Sequence, residues 1–132
     1  MDENKLLINE MKYLKLGKKP VEWVIPKADG LRPPARICAT MKFYEELSII
    51  VIYGGCDKER KRFYSDLFIF DLEKFKWTRL VLFNSVPSER SEHCSILLKN
   101  KLIIFGGVTA TRYVGSDLFV INFGIYFLVI LI

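Results

Sequence analysis

The sequence predicts an all-β chain of two four-stranded antiparallel sheets stacked face to face, with one extra strand ahead of them. Three observations carry that prediction. Two apolar runs each end in a glycine pair: Leu47–Tyr53 before Gly54 and Gly55, and Lys101–Phe105 before Gly106 and Gly107. Each pair is followed by a polar stretch and then a matching segment, Ser65-Asp-Leu-Phe-Ile-Phe-Asp71 in one case and Ser116-Asp-Leu-Phe-Val-Ile-Asn122 in the other. The spacing is regular, since Trp23 to Trp77, Pro33 to Pro87 and Arg36 to Arg90 are all 54 residues apart. Self-similarity of this kind marks a repeat architecture in which each unit is one supersecondary element.

Taken in order, residues 1–19 read as a leader with a short helix. Leu6, Leu7, Met11 and Leu14 fall on one helical face among lysines, and Gly17 stops the helix. Val21–Ile25 alternates and is rich in β-formers, which makes it the extra strand. Pro26 and Gly30–Pro34 break the pattern into a loop. Arg36–Tyr44 is the next strand, and Glu45-Glu46 turns the chain into the run before Gly54. The stretch Cys56–Tyr64 is charged and is expected to be exposed. Asp66–Leu72 and Lys76–Val81 complete the first sheet, so that residues 20–81 form the first unit with its preceding strand.

The second unit, residues 82–123, repeats this order with strands over Glu92–Leu98, Leu102–Phe105 and Asp117–Phe123. Residues 124–132 form a hydrophobic tail, read as a degenerate last strand. Sequential short strands joined by turns make an antiparallel meander. Leu67–Phe70 and Leu118–Ile121 are apolar without alternation. A strand buried on both faces belongs to a sheet lying between two others. That points to sheets stacked face to face, as in a propeller.

The ordered set of residues resembles the kelch-repeat family. In the first unit it is carried by Trp23, Pro33, Arg36, Gly54, Gly55, Tyr64, Asp66, Leu67 and Trp77; in the second it recurs as Pro87, Arg90, His93, Gly106, Gly107, Tyr113, Asp117 and Leu118. The resemblance implies four-stranded kelch-type blades and thus an incomplete β-propeller. It also implies a glycine pair that permits tight packing, and Tyr and Trp rings that fill the space between blades. Family propellers are mostly interaction platforms, so the implied function is a non-catalytic scaffold or adaptor that binds another protein. Leu128 stands where the second unit should repeat Trp77, Asn122 where the first has Asp71, and Ala39 opposite His93. A propeller needs about 4–8 blades to close, so two units are read as part of a longer product or as copies that associate through exposed blade faces.

Composition bounds the alternatives. Half the residues are hydrophobic (51%) and 14% are aromatic, enough for a core. A net charge of +5 without a long basic stripe gives no basis for expecting nucleic acid. Three widely spaced cysteines form no disulfide framework or CxxC pair, and the acidic start lacks an apolar signal core. A reducing, cytoplasmic setting is expected. His93 is the single histidine and adjoins Cys94, but neighbours in a strand point to opposite faces, so neither catalysis nor a metal or cofactor is expected there. A copper-oxidase-like remnant would need several His and Tyr ligands. The 15 residues from Leu118 to Ile132 are mostly apolar but fall short of the about 20 that a membrane helix needs. A membrane anchor is therefore the second reading of the tail.

Loops at one end of the sheets are the expected partner-binding surface, since a rigid scaffold displays its function on loops. The residues assigned to it are Lys58, Arg60, Lys61, Arg62, Phe63, Ser88 and Arg112, with an acidic partner in view for the basic run. Arg36 and Arg90, recurring before a strand, are expected to serve as structural hydrogen-bond donors.

Overall fold

The computed structural model describes residues 9–17, 20–82 and 86–123. Within them every regular element is a β-strand, apart from one 3-10 turn at Glu45–Leu47. The first sheet contains β4 (Thr40–Tyr44), β5 (Ile49–Tyr53), β6 (Leu67–Asp71) and β7 (Lys76–Leu80) as an antiparallel meander. A two-residue strand, β3 (Asp29–Gly30), adds to its outer edge in parallel with β7. The sequence predicts a loop here, because Gly30 and the neighbouring prolines hide so short a pairing. Gly30 is required there: its φ is +83° and a Cβ would overlap the Trp77 carbonyl.

The second sheet contains β8 (Cys94–Leu98), β9 (Lys101–Phe105) and β10 (Leu118–Asn122), again antiparallel in sequence order. Its expected fourth strand lies outside the described residues. The inner strands β4 and β8 are neighbours, and the two sheets share one core. From the first sheet come Tyr44, Ile49, Val51, Tyr53, Leu67, Ile69 and Leu80; from the second come Leu102, Ile104, Ile121 and Phe123. Face-to-face stacking follows from period-2 geometry, since the alternate residues of β5 and β6 point at the second sheet. The opposite face of the first sheet carries Phe68, Phe70 and Trp77, packed with Met11, Ala28, Leu72 and Phe75.

All four residues Leu67–Phe70 are buried, as a strand covered on both sides requires. Leu118–Ile121 differs from its expected pattern. Leu118 and Val120 are exposed while Ile121 is buried, so this strand is covered on one face only.

The leader corrects a second expectation. Its described part contains no helix; β1 (Tyr13–Lys15) pairs antiparallel with β2 (Glu22–Val24) in a separate two-stranded sheet. A single short amphipathic turn is marginal as a helix in water, whereas Val21–Ile25 offers a strand edge to pair with. Gly17, at φ +91°, marks the turn region between them. The extra strand thus joins a hairpin and not a blade. Trp23, expected to pack between blades, is accordingly largely exposed on it, while Trp77 is buried with its ring centroid 4.8 Å from that of Phe70.

Candidate functional site: the loop rim

Strand direction alternates through each meander, so the β3–β4, β5–β6, β7–β8 and β9–β10 connections meet at one end of the stacked sheets. Backbone hydrogen bonds join them into a continuous rim. Ile37 and Cys56 exchange bonds of 2.8 and 3.0 Å, and Ser91 and Val108 exchange two of 2.9 Å. Across the units the Gly55 amide donates to the Arg90 carbonyl (2.8 Å), the Arg90 amide to the Tyr64 carbonyl (3.1 Å), and the Glu92 amide to the Cys38 carbonyl (3.1 Å).

Two arginines, Arg90 fully buried and Arg36 with a largely buried side chain, fasten the rim from beneath. Arg36 donates through Nη1 to the Gly54 carbonyl (2.8 Å), through Nε to the Pro34 carbonyl (3.1 Å), and to both carboxylate oxygens of Asp66 (2.5 and 3.2 Å). Its guanidinium lies 4.2 Å from the Tyr64 ring centroid. Arg90 repeats the pattern with the Gly106 carbonyl (2.9 Å), the Ser88 carbonyl (3.1 Å) and Asp117 (3.4 Å). The planar guanidinium fork can satisfy several acceptors at once, which a lysine ammonium does less well. Ser88, assigned to the partner surface, also accepts a hydrogen bond at its Oγ from Arg90 Nη2 (2.9 Å), so its polar groups serve this internal network.

The glycine pairs sit where these connections cross. All four have φ between +65° and +106°. A Cβ on Gly55 would stand 2.8 Å from the Ile37 carbonyl oxygen, and one on Gly107 2.7 Å from that of Ser91. Both distances are too short for a side chain.

The two long loops are ordered by one device. The Asp57 amide donates to the Arg62 carbonyl (2.9 Å), and Asp57 Oδ1 accepts the Lys61 and Arg62 amides (2.8 and 3.1 Å). In the second unit the Thr109 amide donates to the Arg112 carbonyl (2.9 Å), and Thr109 Oγ1 accepts the Arg112 amide (3.2 Å). Such side-chain-to-backbone turns are a common use of Asp and Thr. They hold Lys61, Arg62 and Arg112 on the exposed tips.

Of the expected partner residues, Lys58, Arg60, Lys61, Arg62 and Arg112 are exposed on the rim and Phe63 is half-buried. Arg60 is engaged, since its guanidinium reaches Glu92 in the other unit at 2.5 Å and its pKa is raised by that hydrogen bond. The loop as a whole is less exposed than expected: Cys56 and Tyr64 are buried, and only the tip stands in solvent. The register of Tyr113 is also corrected. Backbone pairing matches Cys56–Phe63 with Val108–Tyr113, and the Tyr64 amide bond to Gly55 with the Val114 bond to Gly107. Tyr113 therefore occupies the place of Phe63, and Val114 takes that of Tyr64.

His93 lies behind the rim. Its Nε2 is 2.8 Å from Thr40 Oγ1, its ring meets that of Tyr53 edge-on at 5.4 Å, and Nδ1 has no hydrogen-bond partner. Burial, reinforced by the Arg90 charge, pushes its pKa down to about 4. The repeat spacing sets His93 opposite Ala39 and carries no signal for the Thr40 contact. A histidine base needs a third group to fix its tautomer, and the unpartnered Nδ1 supplies none. Cys94 is exposed, on the other face of the strand. Among the described residues no group of three or more His, Cys, Asp or Glu side chains could hold a metal ion. No helix among them is long and apolar enough to cross a membrane.

Comparison with known proteins fits this geometry. The KLHDC2/KLHL20/DRC7 Kelch-repeats domain matches residues 2–126. Host cell factor 1 of Rattus norvegicus is 35% identical over 106 residues, 76% of this chain and 5% of the relative. Host cell factor 2 of Homo sapiens is 31% identical over 76% of this chain and 13% of its own length. The dynein regulatory complex subunit 7 of Chlamydomonas reinhardtii is 28% identical over 66% of this chain and 7% of its own length. The chain thus spans a small part of the curated relatives it matches. Among solved structures, that of YjhT superposes with a TM-score of 0.59 over 77% of this chain and 29% of that one, at 19% identity, a likeness of fold alone.

Proposed function

Because this chain belongs to the kelch-repeat family, whose members are generally protein-interaction modules, we propose that it is a non-catalytic binding scaffold that engages an acidic segment of another protein through its loop rim. The observation that carries the reading is the placement of Lys61, Arg62 and Arg112 on the exposed tips of two self-ordered loops, one from each unit. A loop held by its own turn loses little entropy on binding, so more of the contact energy appears as affinity. Opposite charge on the partner raises the rate of encounter and rejects basic surfaces.

The three cysteines are free, two of them exposed, which fits a reducing compartment such as the cytoplasm. The test is capture of partners from cell extract by the wild-type chain and by a Lys61→Glu/Arg62→Glu/Arg112→Glu variant. All three positions are exposed, so the variant keeps its fold. We expect it to lose the acidic partners that the wild type retains, and those partners to leave the wild type as salt is raised. An unchanged set of captured proteins would remove the rim from the account.

A further inference from the structure

The two sheets are built alike but covered unequally. On the first sheet, the face turned to the second carries Tyr53, Leu67 and Ile69, which are 0%, 0% and 7% exposed. Their counterparts on the second sheet, at the same pairing positions of β9 and β10, are Phe105, Leu118 and Val120, which are 48%, 61% and 50% exposed. Ile96 and Leu98 of β8 extend the same exposed apolar face. The backbone shows the same inequality. A Cβ on Gly54 would stand 2.7 Å from the Arg90 carbonyl oxygen of the neighbouring unit, whereas around Gly106 the nearest atom is 3.6 Å away. The seat that one unit fills for the other is open at the second.

The chain also carries a surface of the kind that fills such a seat. The second sheet rests on the first through Leu97, Leu102, Ile104, Phe119 and Ile121. The corresponding positions of the first sheet are Phe43, Ile50, Ile52, Phe68 and Phe70, apolar at every one; Phe68 and Phe70 are already covered within the chain, Ile50 and Ile52 are half-buried, and Phe43 is exposed. Met11 and Ala28 pack on this face near Phe70 and Trp77. Its inner half remains open, with Met41 and Phe43 exposed. A cleft of about 290 Å³ there is lined by residues that include Pro33, Arg36, Ala39 and Ile52.

We propose that the exposed face of the second sheet docks the inner half of the first sheet's outer face on a second copy of this chain, continuing the sheet stack head to tail. The occupant is set by continuity with the interface already present between the two units, whose apolar positions recur on the outer face of the first sheet. Contiguous exposed apolar residues of this extent mark association surfaces. The contact is heterologous, because one face meets a different face of the next copy, so it closes into a ring or extends as a filament.

The test is the native mass of the chain, measured by light scattering across a concentration series. We expect assemblies of two or more 15.4 kDa copies. Leu118→Asp/Val120→Asp should weaken association by more than about tenfold, since each carboxylate would be buried without a partner. Met41→Asp/Phe43→Asp should do the same from the other face. Circular dichroism should show both variants folded, as all four positions are exposed. Each variant retains one intact face, so mixing the two should restore a one-to-one complex of twice the monomer mass. A wild-type chain that is folded and monomeric throughout would overturn the proposal. So would assemblies that ignore these charges, or a mixture of the variants that stays monomeric.

Discussion

Arg36 and Arg90 perform one task at an interval of 54 residues, each holding a glycine carbonyl, a carbonyl two residues back and an aspartate. Arg36 and Asp66 are both nearly buried, so removing either would leave the other charge uncompensated, a cost of about 3–5 kcal/mol. These roles could be read from the sequence, because a repeated residue at a repeated place implies a repeated contact. Tyr113 could not be placed in the same way. The second loop is two residues shorter between Val108 and Tyr113, and Gly115 then adds one back, so the tyrosines look aligned while the backbone is out of step. Burial was equally hidden at His93, whose ring sits against Tyr53 and carries no partner on Nδ1. Its pKa is about 4 in the fold against 6.5 for the free side chain. The unfolded chain therefore binds the proton first, and stability must fall as pH drops through this window. We expect the wild type to lose roughly 2–3 kcal/mol between pH 7 and pH 4.5 from this group. His93→Gln should lose correspondingly less over the same range in urea titrations. Equal losses would show that the histidine is not buried in its neutral form.

The strands of the two sheets were legible because their apolar runs are bounded by glycine pairs and charged turns, and the predicted and observed strands overlap throughout the described blades. The missed elements are those in which tertiary partners override local pattern. Tyr13–Lys15 becomes a strand because β2 is available to pair with it, and Asp29–Gly30 because Trp77 presents its backbone. Both glycine pairs have the same conformation, yet their surroundings differ, and that difference can be measured. Gly54→Ala and Gly106→Ala incur the same left-handed strain of about 1–2 kcal/mol. Gly54→Ala also drives a methyl into the Arg90 carbonyl, for a further loss of about 1–3 kcal/mol. Compared in the Leu118→Asp/Val120→Asp background, where copies do not dock, the Gly54 variant should unfold at clearly lower denaturant. Equal midpoints would mean that the two units do not meet at this point.

At the scale of the molecule, a shared core turns two marginal sheets into one body and leaves a tied rim at one end. A single sheet of a repeat cannot cover its own apolar face, and each repeat here finds cover in the other through the shared core. The sequence showed that there are two units and that they stack. It did not show which face stays open, because exposure depends on what lies across the interface and not on the run itself: Leu67–Phe70 and Leu118–Ile121 are equally apolar. The most direct test is native-state hydrogen exchange of the Leu118→Asp/Val120→Asp variant. If the two units form one body, the amides of β5, β6 and β9 should share a single opening free energy near that of global unfolding. Complete exchange across residues 94–122 while residues 49–71 remain protected would contradict the account.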